Sequence, residues 1–212
     1  MRRVALVTFA LVAVPAHTRA QDAAPVVEVG PGFALLADGA PVTTAALAAR
    51  LDRFARDAPP RPHEGVHVIA DGALPWRELV ILFMRSGHAL IEQTWSVAGG
   101  EGRITWRIPQ DTSAGGRRPV QRWSASVRFD ERTCRLRWRP WLQGGGAAPP
   151  AGAPPGNEVE GTVDQVVAEL VAARATEVVL DPAPAMAYRD VHATALAISR
   201  GAAVTISVRV PD

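Results

Sequence analysis

One pattern occurs twice in this chain, and few folds accommodate it. The first copy reads Val66-His67-Val68-Ile69-Ala70-Asp71, a short turn containing Pro75, then Trp76-Arg77-Glu78-Leu79 opening an amphipathic stretch that halts at Gly87 before more strand-like sequence. The second reads Glu177-Val178-Val179-Leu180-Asp181, a turn containing Pro182 and Pro184, then Tyr188-Arg189-Asp190-Val191 opening another amphipathic stretch that halts at Gly201. Each copy is a strand ending in Asp, then a helix begun by aromatic-Arg-acid-aliphatic, then a strand. Self-similarity of this kind marks a repeated structural unit; chance likeness of two helix–strand units is the alternative. A helix precedes each copy. Thr43 or Thr44 can cap one running to Arg56 with Leu47, Leu51 and Phe54 on its apolar face, and Val163–Ala173 reads as the other.

A candidate hairpin precedes each of those helices. Val26–Val29 and Phe33–Leu36 flank Gly30-Pro31-Gly32, and Asp38-Gly39 is a turn signal. In the second half the hairpin spans 120–141. Trp123, Ala125, Val127 and Phe129 alternate with Arg122, Ser124, Ser126 and Arg128, while Leu136 and Trp138 alternate with Arg135, Arg137 and Arg139. Period two marks strands with one buried and one wet face, and Asp130–Thr133 supplies the turn. Residues 103–108 alternate likewise, with Ile104, Trp106 and Ile108 on one side. The stretch 143–157 is Gly, Ala and Pro with polar residues, a linker or long loop. The expected fold class is therefore α+β. It comprises two related small modules, 21–109 and 110–212, each a β-hairpin plus helix-strand-helix-strand (162–210 in the second), in an antiparallel or mixed sheet with helices on one face.

The first 20 residues read as a secretion signal. Arg2 and Arg3 form a positive start, Val4–Ala16 is apolar, and Thr18-Arg19-Ala20 offers small residues for a cut before Gln21. The apolar run is shorter than the roughly 20 residues of a spanning helix. A retained anchor is the rival reading. Export predicts a periplasmic or secreted protein without a stable membrane span once the signal is cut. Cys134 is the one cysteine, so no internal disulfide can form. Every basic residue is Arg, and beyond Ala20 the net charge is −1, which argues against nucleic acid as a partner. Charge is uneven all the same: residues 101–142 carry +6 between flanks of −3 and −4.

The repeated residues resemble the periplasmic domain of the ExbD/TolR family of biopolymer transport proteins. Ala70-Asp71, Pro75-Trp76, Leu79, Val80 and Gly87 match its strand end, helix start and following glycine, and Phe33–Pro41 with Ala45–Leu51 resembles its opening hairpin and first helix. Asp181, Tyr188, Val191 and Gly201 match a second time, less closely, so the likeness covers 26–97 and, more weakly, 120–210. The resemblance implies a non-catalytic binding or interaction role: self-association, contact with an envelope protein partner, or peptidoglycan binding. The family's membrane helix bears an acidic residue used in proton coupling. Residues 1–20 contain none, so proton coupling by this chain is not implied.

Other chemistry is thinly represented. His63-Glu64-Gly65-Val66-His67 spells a zinc-hydrolase motif, but that chemistry needs a helix to bring both imidazoles to one face. Here Pro60, Pro62 and Gly65 surround it, and in a strand the two His would lie about 13 Å apart. A small secreted zinc hydrolase is thus the alternative function, and a purely structural envelope protein a second one. No G-x-S-x-G elbow, phosphate loop or dinucleotide fingerprint is present, and no catalytic residue, metal or cofactor is expected. The candidate binding residues are Asp71, Trp76, Arg122, Arg128, Arg135, Arg137, Arg139 and Trp141. Sheet edges and the Arg face are the expected contact surfaces.

Overall fold

The computed structural model describes residues 25–57, 65–85, 93–107, 123–140 and 158–208. The expected signal at 1–20, the 109/110 boundary and the linker at 143–157 lie outside the described residues, as do His63, Glu64, Gly87, Arg122 and Trp141 and the side chain of Arg139. Among the described residues the chain is α+β, with four helices and one mixed sheet of 11 strands.

The first half contributes β1 (Val26–Val29), β2 (Leu35–Ala37), β3 (Ala40–Pro41), α1 (Thr44–Asp57), β4 (Val66–Ala70), α2 (Trp76–Arg85), β5 (Gln93–Val97) and β6 (Ile104–Arg107). The second contributes β7 (Trp123–Phe129), β8 (Cys134–Pro140), β9 (Glu158–Gly161), α3 (Val163–Ala172), β10 (Glu177–Pro182), α4 (Tyr188–Ala202) and β11 (Thr205–Val208). Across the sheet the order is β3-β2-β1-β4-β5-β6-β11-β10-β7-β8-β9. Read inward from either edge, the strands follow one plan. An antiparallel trio (β3-β2-β1 or β9-β8-β7) is followed by two strands parallel to its innermost member. Between the halves runs β6, antiparallel to β5 and parallel to β11.

Alternation puts the core on one face of this sheet. The registers Val27↔Val68, Val68↔Trp95, Ile206↔Trp106, Val178↔Ile206, Val127↔Leu136 and Leu180↔Val127 line up apolar side chains from strand to strand. Leu47, Leu51, Leu79, Val166, Leu170 and Ile198 from the four helices join them in one buried cluster. Local signals fix several ends. Thr43 Oγ1 accepts from Ala46 N at 3.2 Å, so of the two threonines it is Thr43 that caps α1. Thr162 and Gln165 form a reciprocal capping box on α3. The turn carboxylate of Asp130 accepts from the backbone N–H of Arg132 and of Thr133, both at 2.8 Å.

Some boundaries differ from expectation. Strand β2 begins at Leu35 rather than Phe33, because Gly32 and Phe33 take positive φ in a tight turn. Strand β5 is described from Gln93, and β11 spans Thr205–Val208. Gly201 does not end its helix. The helix continues to Ala202 and closes with Ala203 in the left-handed region. The glycine is there for space, since a Cβ at 201 would come within 2.5 Å of Val167 Cγ1 on α3.

Candidate functional site

The face of the sheet away from the helices carries the other half of each alternation. On it stand Arg135 and Arg137 of β8, Ser126 and Arg128 of β7, Val179 and Asp181 of β10, Ser207 of β11, Thr94 and Ser96 of β5, and His67 and Ile69 of β4. The polar groups are cross-linked. His67 Nε2 lies 3.1 Å from Ser96 Oγ, and Ser207 Oγ donates to Glu177 Oε1 at 2.9 Å. Arg128 donates to Asp181 Oδ2 through Nε at 3.2 Å and pairs with it through Nη2 at 3.0 Å; Arg135 Nε pairs with Glu160 at 3.0 Å. Register dictates these pairs, since Asp181, Arg128, Arg135 and Glu160 sit opposite one another in one row. Two of the arginines expected to supply free positive charge are therefore already balanced. Arg137, between Ser126 and Glu158 in the next row, forms no ion pair among the described residues.

The sheet edges are poorer templates than expected. β3 has 2 residues and ends in Pro41, which cannot donate; β9 has 4, two of them Glu158 and Glu160. Short, proline-ended or charged edges discourage strand addition.

The two strand-ending aspartates have separate tasks. Asp71 Oδ1 accepts from Ala73 N at 2.8 Å and shapes the turn into α2, whereas Asp181 holds Arg128. His67, the one ligand-type side chain of the zinc-type motif among the described residues, lies in a strand. Burial, and then nearby Arg103, hold its imidazole below the ordinary value. Among the described residues no three His, Cys, Asp or Glu side chains gather as a metal site would require.

Trp76 corrects the expectation that it meets a partner at the surface: it is 1 % exposed. What covers it is the other half of the chain. The turns leading into α2 and α4 bond to each other reciprocally. Trp76 N donates to Met186 O and Tyr188 N to Leu74 O, both at 2.8 Å; Arg77 N donates to Pro184 O at 3.2 Å and Arg189 N to Gly72 O at 3.0 Å. Residue for residue, the first turn does to the second what the second does to the first. This is the arrangement of a two-fold interface. The Trp76 and Tyr188 rings stack with planes 10° apart and centroids 6.4 Å apart. Trp106 of β6 lies 5.6 Å from Trp76, and His192, one turn along α4, meets Tyr188 edge-on at 5.7 Å.

Trp95 completes the aromatic group, its indole N–H donating to Gln93 Oε1 at 2.9 Å. Its neighbours are not so served. Trp76 Nε1, Trp106 Nε1, Tyr188 Oη and His192 Nε2 are buried and have no hydrogen-bond partner among the described residues.

No family model, curated protein or solved structure matches this chain.

A cleft of about 500 Å³ opens at the far end of the second half, where Phe129, Cys134 and Met186 are among its apolar residues and Asp130, Glu131 and Asp190 among its acidic ones. Its cysteine is not a nucleophile at neutral pH: burial pushes the Cys134 thiol up to about 11. Sequence reasoning missed the role of His192, whose polarity disguises a core position. A usable signal was its spacing of four from Tyr188, which places both on one helix face.

Proposed function

We propose that this chain is a non-catalytic, exported binding or interaction protein of the cell envelope, in which two ExbD/TolR-like modules are fused into one chain. The observation that carries this reading is the reciprocal seam between the turns at 72–77 and 184–189. Self-complementary contact is how identical modules pair, and the family resembled is one whose periplasmic domains dimerise. In this reading the signal is removed near Gln21, the mature chain works in the periplasm or outside the cell, and no cofactor takes part.

The contact surface is the open sheet face of the second half, where Arg135 and Arg137 line β8 and Arg128 lies alongside on β7, with Arg139 next in the sequence alternation of β8. The partner is an envelope protein, another copy of the chain, or peptidoglycan. Exposed ion pairs such as Arg128–Asp181 and Arg135–Glu160 are worth about 0–1 kcal/mol each, so a competing anionic ligand can displace them. The test is co-sedimentation with purified peptidoglycan at low and physiological salt, for wild type and for Arg135→Ser/Arg137→Ser/Arg139→Ser. Salt-sensitive binding that the triple variant loses supports the reading. Unchanged binding and salt response in a folded variant removes the Arg face from it.

A further inference from the structure

Topology gives the cleft of the second half its meaning. Strands β7 and β10 run parallel, and β10, α4 and β11 form a parallel crossover unit. Open sheets with such crossovers take ligands in the crevice beyond the carboxyl ends of their strands. This cleft opens there. It is lined by residues that follow β7, from Asp130 on, by Met186 after β10, and by Asp190 and Thr194 in the first two turns of α4. Its volume of about 500 Å³ falls within the ~300–1,000 Å³ of small-molecule sites, which combine an apolar lining with a few polar groups.

We propose that this cleft binds a small organic cation, an ammonium group on an alkyl or aromatic body, with the body on the apolar floor and the charge toward the acidic rim. Phe129, Cys134 and Met186 make the floor, and Asp130, Glu131 and Asp190 outnumber Arg132 on the rim. Two of the acids have tasks within the fold. Asp130 ties its own turn, and Asp190, like Glu78 of α2, lies in the first turn of a helix, where anionic side chains are favoured. Glu131 has neither task. The corresponding bend of the first half, Gly30-Pro31-Gly32-Phe33, is built without a charged residue. Asp190 stays open to a ligand, because its contact with Arg189 is long, at 3.7 Å, and exposed. A metal ion is the poorer occupant: no three His, Cys, Asp or Glu side chains converge among the described residues, so the negative charge is spread around an apolar floor. The site lies apart from the Arg face and opposes it in sign, so it goes beyond the binding role proposed above.

Amide NMR shifts of the full chain test this with probes matched in shape and different in charge. Benzylammonium and n-hexylammonium carry the cation, benzyl alcohol is the neutral counterpart, and phenylacetate is the anion. At least one ammonium probe should shift the amides of Thr133, Val163 and Thr194 saturably, with benzyl alcohol weaker and phenylacetate weakest. Glu131→Gln, which removes charge without touching the turn or the helix start, should raise the dissociation constant by up to about fivefold, and Asp190→Asn should add to it. The effect should shrink as salt is raised. Equal binding of all the probes would leave an apolar crevice with no charge preference and overturn the proposal. So would stronger binding of phenylacetate, saturable shifts from neither ammonium, or affinity unchanged in the folded Glu131→Gln/Asp190→Asn variant.

Discussion

Replacing Gly201 with Ala sets two opposing effects against each other. In a helix interior Ala is favoured over Gly by about 0.8–1.0 kcal/mol, and position 201 lies within α4. Propensity alone therefore predicts a more stable protein. Against it stands the contact with α3, where the new Cβ would lie 2.5 Å from Val167 Cγ1, inside any real carbon–carbon contact. Val167 cannot swing clear cheaply, because a β-branched side chain in a helix has one strongly preferred rotamer. Forcing extra volume into such a contact costs about 1–3 kcal/mol. The clash should win, leaving Gly201→Ala destabilised by about 1 kcal/mol, a fall in Tm of roughly 2–4 °C. In a Val167→Ala background the obstacle is gone and the sign should reverse, Gly201→Ala then stabilising by up to about 1 kcal/mol. Urea denaturation of the four proteins closes the cycle, with the midpoint moving and the slope unchanged. A coupling below about 0.5 kcal/mol, or a stabilised single variant, would show that close helix approach is not what Gly201 provides.

Two further outcomes follow from buried ionisable groups. His67 and His192 both have lowered pKa values in the folded state, so the unfolded chain binds protons more readily and stability is fully present above the ordinary imidazole value of 6.5. Stability should decline as pH falls from 6.5 toward the folded values, and denaturation midpoints at pH 7.5 and 5.5 check this, with the decline reduced in His192→Gln. Cys134, 3 % exposed and with its thiol raised to about 11, should resist a thiol reagent at pH 7.5 in the native protein and react fully in denaturant; fast native labelling would contradict its burial.

The sequence showed most clearly those elements whose patterns are local. Strand β4 matches its expected span because Val66, Val68 and Ala70 alternate inward, and the β7–β8 hairpin was readable from alternation on both sides of an Asp-led turn. What escaped was decided by distant chain. β9 reads Glu-Val-Glu-Gly and becomes a strand only because β8 offers it an edge. Trp76 looked available because nothing local says that Tyr188, more than a hundred residues away, stacks upon it. The wet arginines of β7 and β8 were legible, but their neutralisation by Asp181 and Glu160 depends on strand neighbours that alternation does not name. Gly201 was placed correctly in the pattern and misread in purpose, since its constraint comes from another helix.

Strand β6, lodged between the halves, has a consequence for symmetry itself. A polypeptide strand has a direction, so no single strand can lie across a two-fold axis and map onto itself. Here the middle of the sheet is held by one such strand, antiparallel to its neighbour on one side and parallel on the other. Two identical chains would bring two candidates for that one position and would have to exclude one of them. A single chain has no such conflict: it can keep paired halves and still place an unpaired strand at their centre. From that strand onward the halves meet unlike neighbours, so substitutions at matching positions, such as Trp76 and Tyr188, need not have matching effects.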